Sequence, residues 1–290
     1  FMNNPSAETL RLTAASATER PTSVRWRIFL IMLLLTAINY IDRASLSVAL
    51  PLISAEFQIP PALEGLMLSA FFWSYALMQI PGGMLLDRFQ TRRVIVIATV
   101  AWGAFQALAA GAHNWITLLI TRMGLGIAES PIMPAGAKLN GAWLTPNERG
   151  RGAVLVDGGA PLGSAFGAII IAGLIGWFDS WRIAFVIAGV GTMLAGVLAW
   201  KYIRNHPSEH PGVNAAELAH ITAGNSTVSQ PGAVTSIPLK ELLKDRSVLA
   251  MFAGYCCILS VFYGLLTWMP SYLHQTHGLN ISSMGGATFL

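Results

Sequence analysis

Seven stretches of at least about 20 mostly apolar residues dominate this chain. They run over 27–50, 62–86, 94–112, 115–138, 152–177, 181–202 and 247–273. Each is long enough to cross a bilayer as a helix, and an eighth apolar run opens at 282–290. Between them little material is left for a soluble shell. Charged residues are 11% of the chain, hydrophobic residues 54%, and the mean hydropathy is +0.56. Such a balance excludes both disorder and a conventional soluble domain. The expected fold class is an all-α membrane protein. The first run is too long for a secretory signal peptide and no small-residue cleavage site follows it.

The net charge of +4 first suggests a polyanion partner, but the placement of the basic residues answers it otherwise. Arg11, Arg20, Arg25 and Arg27 precede or open the first run; Arg88, Arg92 and Arg93 follow the second. Lys138, Arg149 and Arg151 follow the fourth, and Lys201, Arg204, Lys240, Lys244 and Arg246 follow the sixth. The intervening turns carry none except Arg182. This alternation is the positive-inside pattern of a multi-pass protein with a cytoplasmic N-terminus, so no nucleic acid is called for. It divides the chain into a cytoplasmic tail (1–26), a six-helix unit (27–202), a cytoplasmic linker (203–246) and the start of a second unit (247–290).

Charges within the apolar runs are costly and are therefore functional candidates. They are Asp42 and Arg43 in the first run, Arg122 and Glu129 in the fourth, and Asp157 in the fifth. At 1.5 Å per residue Asp42 lies roughly 22 Å from the inner end of its run, and Arg122 roughly 10 Å from the outer end of its own, nearly level with it. Glu129, at roughly 21 Å from that outer end, comes nearer the middle, where no inner partner is apparent. Arg122, Gly126, Glu129 and Met133 share a helical face, as do Tyr40, Arg43 and Ser47 with Asn39 beside them, and Tyr75 with Gln79. A guanidinium, two tyrosines and carboxyl groups therefore converge on one central cavity. A permanently charged Arg43 suits a carboxylate ligand, to which it can offer paired hydrogen bonds. Asp42 and Glu129 are the candidate proton carriers, because burial favours the neutral acid and a nearby guanidinium the carboxylate. Asp42 is expected to pair with Arg122 when ionised and to release it when protonated. The alternative is that these residues form static ion pairs between helices. Asp157, near the end of its run, reaches water on this reading, and Gly159, Gly163 and Gly167 form a ladder for close helix packing. Cys256 and Cys257 are adjacent packing residues, and no Cys or His spacing forms a metal site.

The segment Gly83-Met-Leu-Leu-Asp87-Arg88-Phe-Gln90-Thr-Arg92-Arg93 resembles the major facilitator superfamily signature Gly-x-x-x-Asp-Arg-x-Gly-x-Arg-Arg, with Gln90 in place of the second glycine. Arg122-x-x-x-Gly126 resembles the same family's fourth-helix motif. Four further stretches are similar to its anion:cation symporter branch: Asn39-Tyr40-Ile41-Asp42-Arg43, Arg122 through Pro131, Asn205 through Pro211, and Thr267 through Leu273. The resemblance implies twelve helices in two halves, of which this chain would hold a six-helix N-terminal bundle and the first one to two helices of the C-terminal bundle. With Phe1 in place of an initiator, it reads as part of a longer frame. It also implies proton coupling through Asp42, Glu129 and Arg122, substrate binding by Arg43, Tyr40, Tyr75 and Asn39, and gating by Gly83, Asp87, Arg88 and Arg92. Asp87 and the arginines are expected to cap helix ends. Ala160 stands where sugar-acid members carry an amide, which favours a less hydroxylated acid.

The expected function is proton-coupled symport of a small organic anion, a sugar acid or other carboxylate, across the cytoplasmic membrane, by a protein that is a monomer at full length. Its partners would be the carboxylate, the proton and the lipid bilayer, with no cofactor. Alternatives are a transporter-like sensor of a carboxylate, or a piece inactive on its own. An enzyme is not expected, since no nucleophile or metal constellation occurs at membrane depth.

Overall fold

A computed structural model describes residues 20–226, 241 and 244–277. The expected eighth helix at 282–290, most of the N-terminal tail and residues 227–240 of the linker lie outside the described residues. The helices are α1 (Val24–Phe57), α2 (Pro61–Arg88), α3 (Thr91–Leu108), α4 (Trp115–Glu129), α5 (Ile132–Trp143), α6 (Arg149–Phe178), α7 (Trp181–Tyr202), α8 (Ala215–Ser226) and α9 (Arg246–His277). Short 3-10 turns follow α3 and α7.

Each of the seven apolar runs within the described residues becomes helical, with three differences. The first helix continues through Pro51 to Phe57, so the expected loop 51–61 shrinks to a tight turn closed by Gln58 in the left-handed region (φ 52°). The fourth run breaks at Ser130–Pro131, placing Glu129 at the end of α4 and Met133 on α5. Pro131 has no N–H to continue the ladder, which accounts for the break. The linker is not featureless, since α8 forms within it. Among the described residues six segments are long and apolar enough to cross a membrane: α1, Thr91–Gly111, Trp115–Trp143, α6, α7 and Arg246–Thr276. The second run is not among them. Helix α2, which carries that run, has 28 residues and would extend about 42 Å, but Ser69, Ser74, Gln79, Pro81 and the Gly82–Gly83 pair lower the apolarity of its middle.

Packing pairs α1 with α6, α3 with α7 and α2 with α4. The α6 glycine ladder faces α1 as expected. A Cβ on Gly163 would stand 2.2 Å from the Ala37 carbonyl oxygen, and one on Gly159 2.5 Å from that of Leu33. Only a bare backbone permits this approach. Two apolar clusters form. One gathers Phe29, Trp102, Trp143 and Ile203; the other gathers Leu50, Met67, Trp181 and Phe185. Between them along α1 lies a buried polar belt of Asn39, Asp42, Arg43, Ser45 and Ser47. Cys256 and Cys257 are exposed on α9 rather than packed.

At the α1 N-terminus, the fully buried Glu217 of α8 accepts from the backbone N–H groups of Val24 and Arg25 (both 3.2 Å) and from the Arg25 guanidinium (2.8 Å). Arg25 also bridges to Glu148 at 3.0 Å. Partial burial would raise the Glu148 carboxyl. Hydrogen bonds from Thr145 and the nearby Arg25 outweigh it and hold the group below the usual carboxylate range. A helix start carries unpaired N–H donors and a partial positive charge, so a carboxylate there satisfies both.

Candidate functional site

The belt's centre is an ion pair between α1 and α4. Arg43 Nε donates to Glu129 Oε2 at 3.2 Å, with side chains 3% and 0% exposed. The Arg43 guanidinium carbon stands 4.6, 4.7 and 4.9 Å from the ring centres of Tyr40, Tyr75 and Phe71, within cation–π range. One terminal nitrogen donates to the Tyr263 hydroxyl of α9 at 2.8 Å, and that hydroxyl lies 3.0 Å from the Tyr40 hydroxyl. The other terminal nitrogen, Glu129 Oε1 and Asn39 Oδ1 are buried and have no hydrogen-bond partner. The structure thus brings Tyr40, Arg43, Tyr75 and Glu129 together, with Asn39 buried on the same helix. Glu129 does have a partner, and it is Arg43. The helix break aims Glu129 at α1, and Gly126 one turn earlier lets α4 approach α2: a Cβ there would stand 2.3 Å from Ser74 Oγ.

Asp42 and Arg122 form an adjoining cluster, but their charged groups do not meet. The two terminal nitrogens of Arg122 donate to the Asp42 main-chain oxygen and to Ser45 Oγ, each at 3.3 Å. Asp42 Oδ2 instead accepts from Trp102 Nε1 (2.7 Å) and Thr192 Oγ1 (3.0 Å). Their geometry differs from the expected carboxylate–guanidinium pair because α3 and α7 present neutral donors to Asp42.

Between the two clusters is a cavity of about 20 Å³, lined by Arg43, Ser47, Phe71, Phe72, Arg122 and Thr267 among others. That is room for about one water. Both guanidiniums face it.

The gating candidates are elsewhere, at the α2–α3 turn and around the far ends of α5 and α7. Asp87 pairs with Lys138 at 3.2 Å and does not cap a helix; the Arg92 amide at the start of α3 is taken by Asn205 Oδ1 (3.0 Å). The Arg92 guanidinium donates to the Trp200 carbonyl (3.0 and 2.6 Å) and lies 3.8 Å over that residue's ring. Arg88 is exposed over Phe89, and a Cβ on Gly83 would meet nothing within 4 Å. Gln90 adopts φ −65° and ψ 129°, which any residue can reach, so this turn has no need of the family's second glycine. Asp157 is exposed on α6, apart from both clusters.

Sequence reasoning missed Tyr263, Trp102, Thr192, Ser45 and Gln106. Gln106 and Trp102, one turn apart on α3, were a legible signal, since an amide inside an apolar run requires a buried partner. Gln106 Nε2 donates to Ser45 Oγ at 2.9 Å. Tyr263 had no such signal, because its partners lie 220 or more positions away.

Comparison with known proteins bears on this arrangement. Residues 32–290 match the family profile described as Major Facilitator Superfamily. Over 291 residues the chain is 33% identical to the probable galactarate/D-glucarate transporter GudP of Escherichia coli K12, covering 94% of this chain and 63% of that protein. Over 279 residues it is 34% identical to the probable galactarate/D-glucarate transporter GarP of the same strain (90% and 62%). It is 31% identical over 263 residues to the hexuronate transporter of Bacillus subtilis strain 168 (91% and 60%). The chain therefore spans about three-fifths of the length of these relatives. Its fold is similar to the crystal structure of a bacterial homolog to the human lysosomal transporter Spinster, inward-facing and unoccupied. The TM-score is 0.72 and the identity 22%, covering 91% of this chain and 58% of that one. Helical architecture, charge motifs and profile agree, and the chain belongs to the major facilitator superfamily.

Proposed function

We propose that the protein is a secondary transporter that carries a small organic anion, a sugar acid, together with protons across the cytoplasmic membrane. The observation that carries this reading is Arg43, a buried guanidinium ringed by aromatic faces, with one carboxylate partner and one nitrogen unpartnered. A substrate carboxylate and Glu129 compete for it. A proton added to Glu129 removes that competitor's charge and frees Arg43 for the anion, so proton and anion each favour binding of the other. Asp42 and Arg122 supply a second proton site. Tyr40, Tyr75 and Asn39 contact the substrate, and Gly83, Asp87, Arg88 and Arg92 serve the gate at the inner end.

The domain organisation follows the same reading. Helices α1–α7 form one transporter half, residues 203–246 a cytoplasmic linker, and α9 opens the second half. The alternation of basic residues supports a cytoplasmic N-terminus. The relatives named for galactarate, D-glucarate and hexuronate support the sugar-acid class.

The test is uptake into proteoliposomes holding the full-length protein. The panel is galactarate, D-glucarate, a hexuronate and the less hydroxylated succinate, each under an inward proton gradient. We expect uptake of at least one sugar acid, collapse of uptake by a protonophore, and loss on Arg43→Gln. Uptake of a cationic or neutral solute with none of the acids would refute the proposal.

A further inference from the structure

Asp42 is completely buried, yet it rests on neutral donors while an arginine stands beside it. Trp102 Nε1 and Thr192 Oγ1 both donate to Oδ2, at 2.7 and 3.0 Å, from α3 and α7, and both residues are fully buried. Arg122 is held separately. Its terminal nitrogens sit on the Asp42 carbonyl and on Ser45 Oγ, Ser45 is fixed by Gln106, and the Phe185 ring lies 5.1 Å beneath the guanidinium. Two complementary atoms are left bare and buried: the acceptor Asp42 Oδ1 and the donor Arg122 Nε. Buried orphans of opposite kind in adjoining residues call for an explanation.

We infer that Trp102 and Thr192 are positioning residues: together they form a seat that holds the Asp42 carboxyl away from Arg122. Exchange of Asp42 between this seat and Arg122 is the step that loads and unloads its proton. The inference rests on the reading of Asp42 as a proton carrier. In the seat Oδ2 is occupied by donors and Oδ1 is free to hold a proton. Against Arg122 the carboxylate is charge-compensated and gives the proton up. The charged groups facing Asp42 are few. From α4 come Arg122 and, at longer range, Glu129, while Arg43 on its own helix turns to Glu129. α3 and α7 offer only the uncharged Trp102, Gln106 and Thr192 here, and α6 meets this stretch of α1 through Gly163 and Gly167. Among the described residues no carboxylate, Asp42 included, reaches Arg122 within ion-pair distance.

Thr192→Val keeps shape and Trp102→Phe keeps an aromatic ring, though a smaller one; each deletes one donor. The measurement uses the full-length protein in proteoliposomes and the panel acid that the wild type takes up fastest. Accumulation driven by a proton gradient is read beside exchange of labelled for unlabelled acid without a gradient. A hydrogen bond to a carboxyl group is strong enough that its loss shifts the partition between seat and Arg122 about tenfold. Each variant should therefore lower proton-driven accumulation about tenfold and require more acidic pH for half-maximal uptake. Exchange should stay within about twofold of wild type. Thr192→Ser, which restores the hydroxyl, should restore coupling. Wild-type accumulation and pH profile in both donor-deleted variants would overturn the seat. So would a parallel loss of exchange and accumulation that Thr192→Ser does not rescue, which marks a packing role. Absence of proton-driven uptake in the wild type itself would instead sink the reading of Asp42 as a carrier.

Discussion

Glu129→Gln tests the proposed competition between Glu129 and a substrate carboxylate for Arg43. The substitution preserves size and removes one charge from a pair whose side chains are 3% and 0% exposed at 3.2 Å. Removing one partner of a buried pair costs about 3–5 kcal/mol, because the remaining charge stays buried without compensation. Here Arg43 keeps its bond to Tyr263 and the faces of Tyr40, Tyr75 and Phe71, so the lower end, about 3 kcal/mol, is expected. The same change should tighten anion binding. On the proposed function a substrate carboxylate must first displace Glu129 in the wild type, whereas in the variant it would meet an uncompensated guanidinium. If half of the cost is recovered on binding, the Kd falls about tenfold. The assay is denaturant unfolding of the full-length protein in detergent with and without the panel acid that the wild type takes up fastest, beside calorimetric titration near neutral pH. Ligand at about 100 times its Kd should return about 2.7 kcal/mol of the lost stability. An unchanged stability together with an unchanged Kd would refute the competition.

Three further outcomes follow from the packing and from the Glu217–Arg25–Glu148 cluster at the start of α1. Gly163→Ala places a methyl 2.2 Å from the Ala37 carbonyl, so α1 and α6 must part; a loss of about 1–3 kcal/mol is expected, whereas Gly173→Ala, with nothing within 4 Å, should be silent in the same unfolding assay. Glu217→Ala leaves two α1 amides without their acceptor and takes one of the acceptors of Arg25, and hydrogen exchange over 215–226 should accelerate by at least about tenfold; unchanged protection would show that α8 docks by other contacts. Glu148 has a carboxyl held below its unfolded value of about 4.3, so its contribution is complete above about pH 5 and is lost as pH falls through its folded value. Unfolding curves of Glu148→Gln should therefore lack part of the wild-type decline in that acid window, and identical acid profiles would contradict the assignment.

The helices, the polar stripe and the participants in the central pair were legible in the sequence, because lipid imposes simple rules. A chain that spans hydrocarbon must satisfy its backbone internally, so long apolar runs become helices, and a charge within one stands out against its background. Asp42, Arg43, Arg122 and Glu129 were found in this way. Pairing was not legible. Depth along a helix placed Asp42 beside Arg122 and left Glu129 without a partner, while the structure joins Glu129 to Arg43 and Asp42 to Trp102 and Thr192.

Helical periodicity gives a residue's height and face, but rotation, tilt and the break at Ser130–Pro131 decide which faces meet. The linker shows the same division. Its basic residues announced a connection between units, yet only tertiary contact could turn Glu217 into the acceptor that closes the start of α1. By itself the sequence determined what must be buried and where along each helix the charges sit, since those follow from the cost of polar groups in lipid. The tertiary structure decided which charge answers which, because hydrogen bonds and ion pairs depend on ångström-scale approach between helices far apart in the chain.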